Sequence, residues 1–188
     1  MARCDWCGDD PLYVDYHDAE WGVPVTSDAA LFERLSLEAM QAGLSWITVL
    51  RKRERMRERF YDFDTERLAR AGERQINSWL KDQGLIRHRG KLEALINNAR
   101  RARALPQGLA DLLWGVVDHQ PRINEWPARQ AVPSVTDEAV NLSKLLKQAG
   151  FKFVGPTMCY ALMQSAGLVN DHLLGCHRHP GQQAAQQP

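Results

Sequence analysis

The sequence of 188 residues has no long apolar run, and its start, MARCDWCGDD, lacks the apolar stretch that follows the basic start of a secretory signal. A membrane-spanning helix needs roughly 18 consecutive apolar residues, so neither a span nor a signal is predicted. Cysteine is also scarce, with four in the chain. Without an export signal such residues are thiols or metal ligands more often than disulfides. We therefore expect a cytoplasmic protein with no membrane partner.

Sustained alternation of apolar and polar residues, which marks half-buried strands, is absent as well, whereas helical periodicity runs through most of the chain. The pattern predicts helices at about residues 28–42, 46–60, 65–71, 73–83, 89–105, 108–117, 137–149 and 157–167. Residues suited to helix ends stand at these boundaries, namely Ser27, Ser45, Asp64, Thr136, Gly84, Gly150 and Pro156. We expect one all-α domain over residues 1–180 and a disordered polar tail at 181–188.

Net charge is small, at +1, but the charge is unevenly distributed along the chain. Residues 1–50 hold two basic and nine acidic residues, whereas residues 51–103 hold sixteen basic and eight acidic ones. The middle third has two interpretations. It is either a solvated helix face with Arg–Glu pairs, or a surface that faces phosphates.

Glu38 is an acid on an otherwise apolar helix face, because it follows Leu31 and Leu35 at helical spacing. A single glutamate in this position is more often at the edge of the stripe, where it pairs with an arginine. The sequence QAGLSW follows directly, and Gly43 there predicts a helix break that leaves Leu44 on a loop. Such a loop can carry an exposed apolar wedge.

Aromatic residues are concentrated in the first quarter of the chain, at Trp6, Tyr13, Tyr16, Trp21 and Trp46. We place them on irregular segments and interpret them, together with a buried acid, as a pocket that stacks a flat ring. The later tryptophans are expected in the core, and they are Trp79, Trp114 and Trp126.

His172 and Cys176 are four residues apart, so on one helical turn both could reach the same point. A structural zinc takes four protein ligands, and the N-terminal segment supplies further candidates. These candidates are Cys4, Cys7 and His17, with His177 and His179 as spares near the C-terminus. Any two of the first three would complete a closed site that joins the two ends of the chain.

Four stretches together resemble the family of constitutive bacterial 3-methyladenine DNA glycosylases, which belongs to the helix-hairpin-helix superfamily. They are YHDAEWGVP (16–24), EAMQAGLSWITVLRKRE (38–54), QGLIRHRGKLEALINNAR (83–100) and GFKFVGPTMCYALMQSAGLVNDHLLGC (150–176). The resemblance covers most of residues 3–176, with a looser match from about 104 to 135.

The resemblance implies base-excision repair: hydrolysis of the N-glycosidic bond of 3-methyladenine after base flipping, leaving an abasic site. It also implies a helix-hairpin-helix fold with its hairpin at FKFVG, where Lys152 and Gly155 would contact DNA. The base pocket maps onto Trp6, Tyr16, Glu38 and Trp46, with Trp21 nearby, and Glu38 is ranked as the catalytic residue ahead of Asp171. The inserted loop maps onto Gln41, Gly43 and Leu44.

By the same resemblance, one structural zinc would be bound by Cys4, His17, His172 and Cys176, although Cys7 competes with His17. No lysine stands beside the hairpin as a Schiff-base nucleophile, so a monofunctional enzyme is expected. Its partner would be double-stranded DNA containing alkylated adenine, and the protein would act as a monomer. The alternative function is a zinc-stapled DNA-binding module that recognises lesions without cleaving them.

Overall fold

The computed structural model describes residues 2–184, and within them the protein is a bundle of short helices around one core. The helices are α1 (Pro11–Ala19), α2 (Asp28–Gln41), α3 (Trp46–Arg59), α4 (Thr65–Ala69), α5 (Glu73–Leu80), α6 (Arg89–Arg103), α7 (Gly108–Trp114), α8 (Asp137–Gln148), α9 (Pro156–Ser165) and α10 (Pro180–Ala184). No helix in this part of the chain is both long and apolar enough to cross a membrane.

Helix α2 occupies the centre of the bundle, where it packs against α3, α6, α7 and α9. Its apolar side chains Leu31, Leu35 and Leu37 are almost completely buried. The Ser27 side chain accepts a hydrogen bond from the Ala30 amide and so caps the start of the helix. Because α2 is enclosed on several sides, a polar side chain on its inner face is removed from bulk water.

The predicted helices all occur, with ends that differ by a few residues. Helix α1 was missed, because its apolar residues do not form a single stripe. Its start is nevertheless well specified: Pro11 occupies the first turn, and the Asp10 carboxylate accepts a hydrogen bond from the Leu12 amide at 3.0 Å.

One small strand pair was also missed. Strands β1 (Arg122–Ile123) and β2 (Val169–Asn170) pair in parallel, with Arg122 opposite Val169. Two residues are too few to show a period in the sequence. The pair matters because it holds the segment after β1 beside Asp171, which directly follows β2.

The tail predicted to be disordered, residues 181–188, begins within the short helix α10. Residues 180–184 form α10, where the His179 ring accepts a hydrogen bond from the Gly181 amide and the Gln182 side chain donates to the Leu174 carbonyl. These hydrogen bonds depend on the folded structure, so the low-complexity composition of the segment does not predict them. Residues 185–188 of the predicted tail lie outside the described residues.

Candidate functional site

A cavity of about 370 Å³ opens between α1, α2, the start of α3 and α9. Its lining combines aromatic rings with two acids and two amides: Trp6, Tyr13, Tyr16, Trp21, Glu38, Gln41, Trp46, Arg129, Val132, Ala161, Gln164, Asp171 and Leu173. Apolar walls with a few convergent polar groups are typical of small-molecule sites. The pocket joins residues that are far apart in the sequence.

Glu38 lies on the α2 wall of this pocket and is only 4 % exposed. Burial raises its pKa to about 7, against the opposing influence of the Ser165 hydroxyl and the Arg34 charge. Ser165 donates its own hydrogen bond to the Leu162 carbonyl at 3.3 Å.

The alternative interpretation, in which Glu38 pairs with an arginine, does not hold among residues 2–184. Arg34, one turn before Glu38 on α2, forms its ion pair with Glu20 at 2.8 Å instead. The Glu38 carboxyl is therefore desolvated and available to a ligand.

Four of the five aromatic rings lie on helical elements, which corrects the prediction of irregular segments, whereas Trp21 lies in the turn after α1, as predicted. Tyr13 and Tyr16 lie on α1, Trp46 begins α3, and Trp6 lies on a 3₁₀ turn at Asp5–Cys7. The Tyr16 and Trp46 rings have centroids 5.3 Å apart, and those of Trp6 and Trp21 are 4.9 Å apart.

Two indole N–H groups in the pocket wall have no hydrogen-bond partner within the described chain. They belong to Trp6 and Trp46, and both nitrogen atoms are buried. Buried polar groups nearly always have a partner, so an unpartnered donor in a cavity wall indicates a place for a ligand or an ordered water.

Asp171 also lines this cavity, but its carboxylate is saturated. Oδ1 accepts from Asn124 Nδ2 at 2.7 Å and from Trp126 Nε1 at 2.8 Å. Oδ2 accepts from Gln164 Nε2 at 2.7 Å and from the Tyr160 hydroxyl. Four donors use the acceptor positions of this carboxylate, which holds the wall together. Trp126, expected in the core, is thus a half-buried donor, whereas Trp79 and Trp114 are core residues.

The α2–α3 loop, residues 42–45, is exposed throughout and lies beside the pocket. Gly43 has φ +77°, and a Cβ atom at this position would meet nothing within 4 Å. Leu44 is 42 % exposed, and its amide donates to the Gln41 carbonyl. The predicted helix break and exposed leucine are therefore both present.

The α8–α9 turn, residues 149–155, contains the FKFVG sequence. Both backbone groups of Lys152 are held by the Asn98 side chain, at 2.8 and 3.0 Å, while the Lys152 side chain is exposed. Gly155 precedes Pro156 at the start of α9, so the free amides of the first turn face outward from this end of the helix.

The basic residues of α3 are not a free phosphate-facing stripe, which was one of our two interpretations of the basic middle third. Five arginines of this helix form ion pairs with carboxylates: Arg51, Arg53, Arg55, Arg57 and Arg59. Their partners include Glu20, Glu33 and Asp82, which other parts of the chain supply. The alternating charges of α3 therefore mainly bind this helix to its neighbours.

Four buried side chains meet behind the aromatic wall. Their ligand atoms lie within 4.8 Å of one another, and they belong to Cys4, His17, His172 and Cys176. Cys176 Sγ is 3.5 Å from His17 Nε2 and 3.5 Å from His172 Nδ1, and Cys4 Sγ is 3.7 Å from His172 Nδ1. The hydrogen bond between the Cys4 and Cys176 side chains lowers the pKa of the Cys176 thiol and raises the pKa of the Cys4 thiol.

The competing candidate ligands lie outside this cluster. Cys7 is buried, but its thiol donates to the Cys4 carbonyl at 3.2 Å. His177 contacts Asp18, and His179 contacts the Asn124 carbonyl. The cluster also shares a wall with the pocket, because the Trp21 and His172 ring centroids are 4.7 Å apart.

Several pocket residues were missed in the sequence, among them Arg129, Gln164 and Leu173, whereas Tyr13 was among the aromatic residues expected there. Gln164 is one polar residue on a largely apolar helix, and Arg129 lies in the weakly patterned region before α8.

Residues 6–179 match the family described as methyladenine glycosylase. The chain is 48 % identical over 184 residues to DNA-3-methyladenine glycosylase 1 of Escherichia coli, with 96 % of this chain and 98 % of the relative covered. It is also 48 % identical over 178 residues to DNA-3-methyladenine glycosylase of Haemophilus influenzae, covering 93 % and 96 %.

Solved structures show the same similarity. A 3-methyladenine DNA glycosylase I from Staphylococcus aureus, described for its recognition of 3-methyladenine, is 38 % identical with a TM-score of 0.92, covering 96 % of this chain and 97 % of the other. A variant of such an enzyme in complex with 3-methyladenine is 37 % identical with a TM-score of 0.92, covering 96 % and 98 %.

Proposed function

Because the chain belongs to the methyladenine glycosylase family and releases 3-methyladenine from DNA in base-excision repair, we propose that the flipped base binds in the pocket beside Glu38. The prediction that the protein is an enzyme is confirmed, and the alternative of a non-catalytic DNA-binding module is set aside. The observation that carries the proposal is the buried Glu38 carboxyl, which has no arginine partner among residues 2–184. It lies in an aromatic cavity where two indole N–H groups also lack a partner within these residues.

Glu38 supplies the charge and hydrogen-bond acceptor of this site. In DNA, 3-methyladenine carries positive charge, so its glycosidic bond is already weak. A carboxylate attracts that cation more strongly in a dry pocket than in water, and the neighbouring ring faces add attraction. Cation binding favours ionised Glu38, which lowers a pKa that burial holds at about 7.

The other pocket residues orient the base. Tyr16 and Trp46 flank Glu38 with ring centroids 5.3 Å apart, and Trp6 and Trp21 close the side next to the cysteine–histidine cluster. The unpartnered N–H groups of Trp6 and Trp46 can each donate to a ring nitrogen or to a water. Asp171 supports the far wall and has no free acceptor position for the reaction.

Single-turnover release of 3-methyladenine from methylated duplex DNA tests the role of Glu38. Glu38→Gln is expected to slow release, modestly because the leaving group is already activated. The matched control is Glu33→Gln on the same helix, where the carboxylate pairs with Arg57 outside the pocket. Equal rates for wild type, Glu38→Gln and Glu33→Gln would remove Glu38 from the mechanism.

The cluster of Cys4, His17, His172 and Cys176 fits a structural zinc, and we propose one ion per chain. Zinc with sulfur and nitrogen ligands in tetrahedral geometry places such atoms about 3.5 Å apart. The three sulfur–nitrogen distances, 3.5, 3.5 and 3.7 Å, match this separation. All four residues are buried, as in a closed site with no open position, so the ion would join the chain ends without entering the reaction.

Elemental analysis of protein purified without added metal should give about one zinc per chain. Cys176→Ser should lose the ion, whereas Cys7→Ser should keep it, because Cys7 lies outside the cluster. Folded, active wild-type protein without metal would contradict the proposal. Loss of the ion in Cys7→Ser with retention in His17→Ala would show a different fourth ligand.

The α8–α9 turn is proposed as the hairpin of a helix-hairpin-helix motif. Exposed Lys152 offers a charge, and the turn before α9 offers amides to a phosphate oxygen beside Gly155. The bacterial relatives are repair enzymes, so the proposed partner is double-stranded DNA in the cytoplasm, bound by a monomer.

The α2–α3 loop is proposed to fill the gap left by the flipped nucleotide, with Leu44 as the wedge and Gln41 and Gly43 beside it. Leu44→Ala should weaken binding to duplex DNA with an abasic site while leaving affinity for free 3-methyladenine unchanged. Equal losses for both ligands would contradict a wedge.

A further inference from the structure

Lys91 on α6 is a buried cation that no part of the known reaction accounts for. It is 5 % exposed, and burial lowers its pKa. Its Nζ donates to the Met40 carbonyl at 2.8 Å and to the Ala42 carbonyl at 2.6 Å. Lysine is rarely buried without a carboxylate partner, so both carbonyls hold this side chain in place.

The two carbonyls stand where α2 ends and the α2–α3 loop begins. The last carbonyls of a helix have no partner within the helix, and a cation there also meets the negative end of the helix dipole. Within the described chain, no other side chain outside the loop binds the backbone of residues 42–45. A Cβ atom at Gly43 would meet nothing within 4 Å, so no group packs on that side of the loop backbone. Among the hydrogen bonds of the described residues, Lys91 therefore supplies the tertiary restraint on the backbone of this loop.

The same helix face also holds the α8–α9 turn. Asn98 is seven residues, or about two turns, after Lys91 and binds both backbone groups of Lys152. Its neighbour Asn97 donates to the Gly150 carbonyl at 2.9 Å. A single rigid element thus sets the separation between the loop that carries Leu44 and the turn that carries Lys152.

We propose that Lys91 is a positioning residue that fixes the α2–α3 loop on α6, so that Leu44 enters the duplex at a set distance from the α8–α9 turn. This inference rests on the proposed wedge role of Leu44. It assigns to Lys91 no contact with the base or with the reacting atoms. Loss of its charge should let the loop move while the pocket and Glu38 stay in place.

The test is a double-variant cycle on the full chain, measured as affinity for a duplex with a tetrahydrofuran abasic-site analogue at fixed salt. Lys91→Met should weaken this affinity about tenfold, because two hydrogen bonds from a charged donor are lost. If Lys91 acts through Leu44, the double variant with Leu44→Ala should lose at least about threefold less than the product of the two single losses. Affinity for free 3-methyladenine should stay within about twofold.

The matched control is Arg100→Met. Arg100 lies on the same helix and also binds two carbonyls, those of Ala69 and Ala71 near the end of α4, away from the pocket and the loop. It should leave duplex affinity within about twofold and show no coupling to Leu44→Ala. A loss as large as that of Lys91→Met would show a general effect of destabilising α6 and overturn the proposal.

The outcomes distinguish a failure of the wedge role of Leu44 from a failure of the positioning role of Lys91. If Leu44→Ala alone leaves duplex affinity unchanged, the wedge is wrong and the role of Lys91 falls with it. If Leu44→Ala weakens binding but Lys91→Met does not, or if their losses multiply, only the role of Lys91 is overturned. Should Lys91→Met fail to fold, Lys91→Gln, which keeps an amide donor and removes the charge, enters the same cycle under the same criteria.

Discussion

Two buried acids, Asp171 and Glu38, line different walls of one pocket, and they differ in how many hydrogen bonds their carboxyl groups accept. On the β2 side, Asp171 is 2 % exposed and receives four hydrogen bonds from Asn124, Trp126, Tyr160 and Gln164. On the α2 side, Glu38 is 4 % exposed, and burial raises its pKa to about 7. A carboxylate whose hydrogen-bond acceptor positions are all occupied stabilises the fold. A buried carboxylate with unoccupied acceptor positions can instead bind a cation.

The largest expected effect is a loss of stability when the hydrogen bonds to Asp171 are disrupted. Asp171→Asn keeps the shape but turns one oxygen into a donor that faces existing donors, so two hydrogen bonds are lost and two groups are left unpaired. The expected loss in the free energy of unfolding is about 2–5 kcal/mol, measured by urea denaturation. The control is Asp118→Asn, an exposed partner of Arg122, which should change stability by less than about 0.5 kcal/mol. A loss below about 1 kcal/mol for Asp171→Asn would mean that the four bonds do not stabilise the wall.

The next effect concerns the pH dependence of stability on the Glu38 wall. Burial raises the pKa of Glu38 from 4.5 to about 7, so the folded state keeps a proton that the unfolded state releases between these values. Wild type should therefore lose stability as pH rises through this window, by up to about 3 kcal/mol relative to Glu38→Gln. Urea denaturation of both proteins at several pH values checks this. A stability difference between them that does not vary from pH 4 to 8 would contradict a raised pKa.

The smallest expected effect tests how much a single hydrogen bond to Asp171 contributes to stability. Asn124→Ala removes one of four donors to Asp171 at a half-buried position, where water can replace it. The expected loss of stability is roughly 1 kcal/mol, and affinity for 3-methyladenine should change by less than about twofold. A tenfold loss of base affinity would show that the Asp171 wall also recognises the base.

The sequence carried enough information to predict every helix except α1 and α10, and to name the candidate members of the cysteine–histidine cluster, among which the family resemblance favoured His17 over Cys7. Helical periodicity is a local signal, and Cys4, His17, His172 and Cys176 are of types that stand out in any chain. It also marked Glu38, because an acid on an apolar stripe breaks a pattern. The signals for the helices and for Glu38 lie within a few residues of the feature, whereas the cluster joins two ends of the chain and was predicted from residue type and the family resemblance.

What could not be predicted depends on contacts between distant segments. The pairing of β1 with β2 brings Asn124 and Trp126 to Asp171, so the saturation of this acid has no local signature. The ion pairs of α3 likewise depend on Glu20 and Asp82, which the fold brings to the helix. Charge counted along the chain therefore overstated the number of free cations.

The central claim is that the Glu38 carboxylate recognises the base, and the dissociation constant of free 3-methyladenine, followed by tryptophan fluorescence, tests it most directly. Glu38→Gln keeps the size of the side chain and loses its charge, so affinity should fall roughly tenfold to a hundredfold, with zinc content and abasic-duplex affinity unchanged. If Glu38→Gln binds the base as tightly as wild type does, while Asp171→Asn abolishes excision without loss of zinc, the two walls have the reverse roles and the account is wrong.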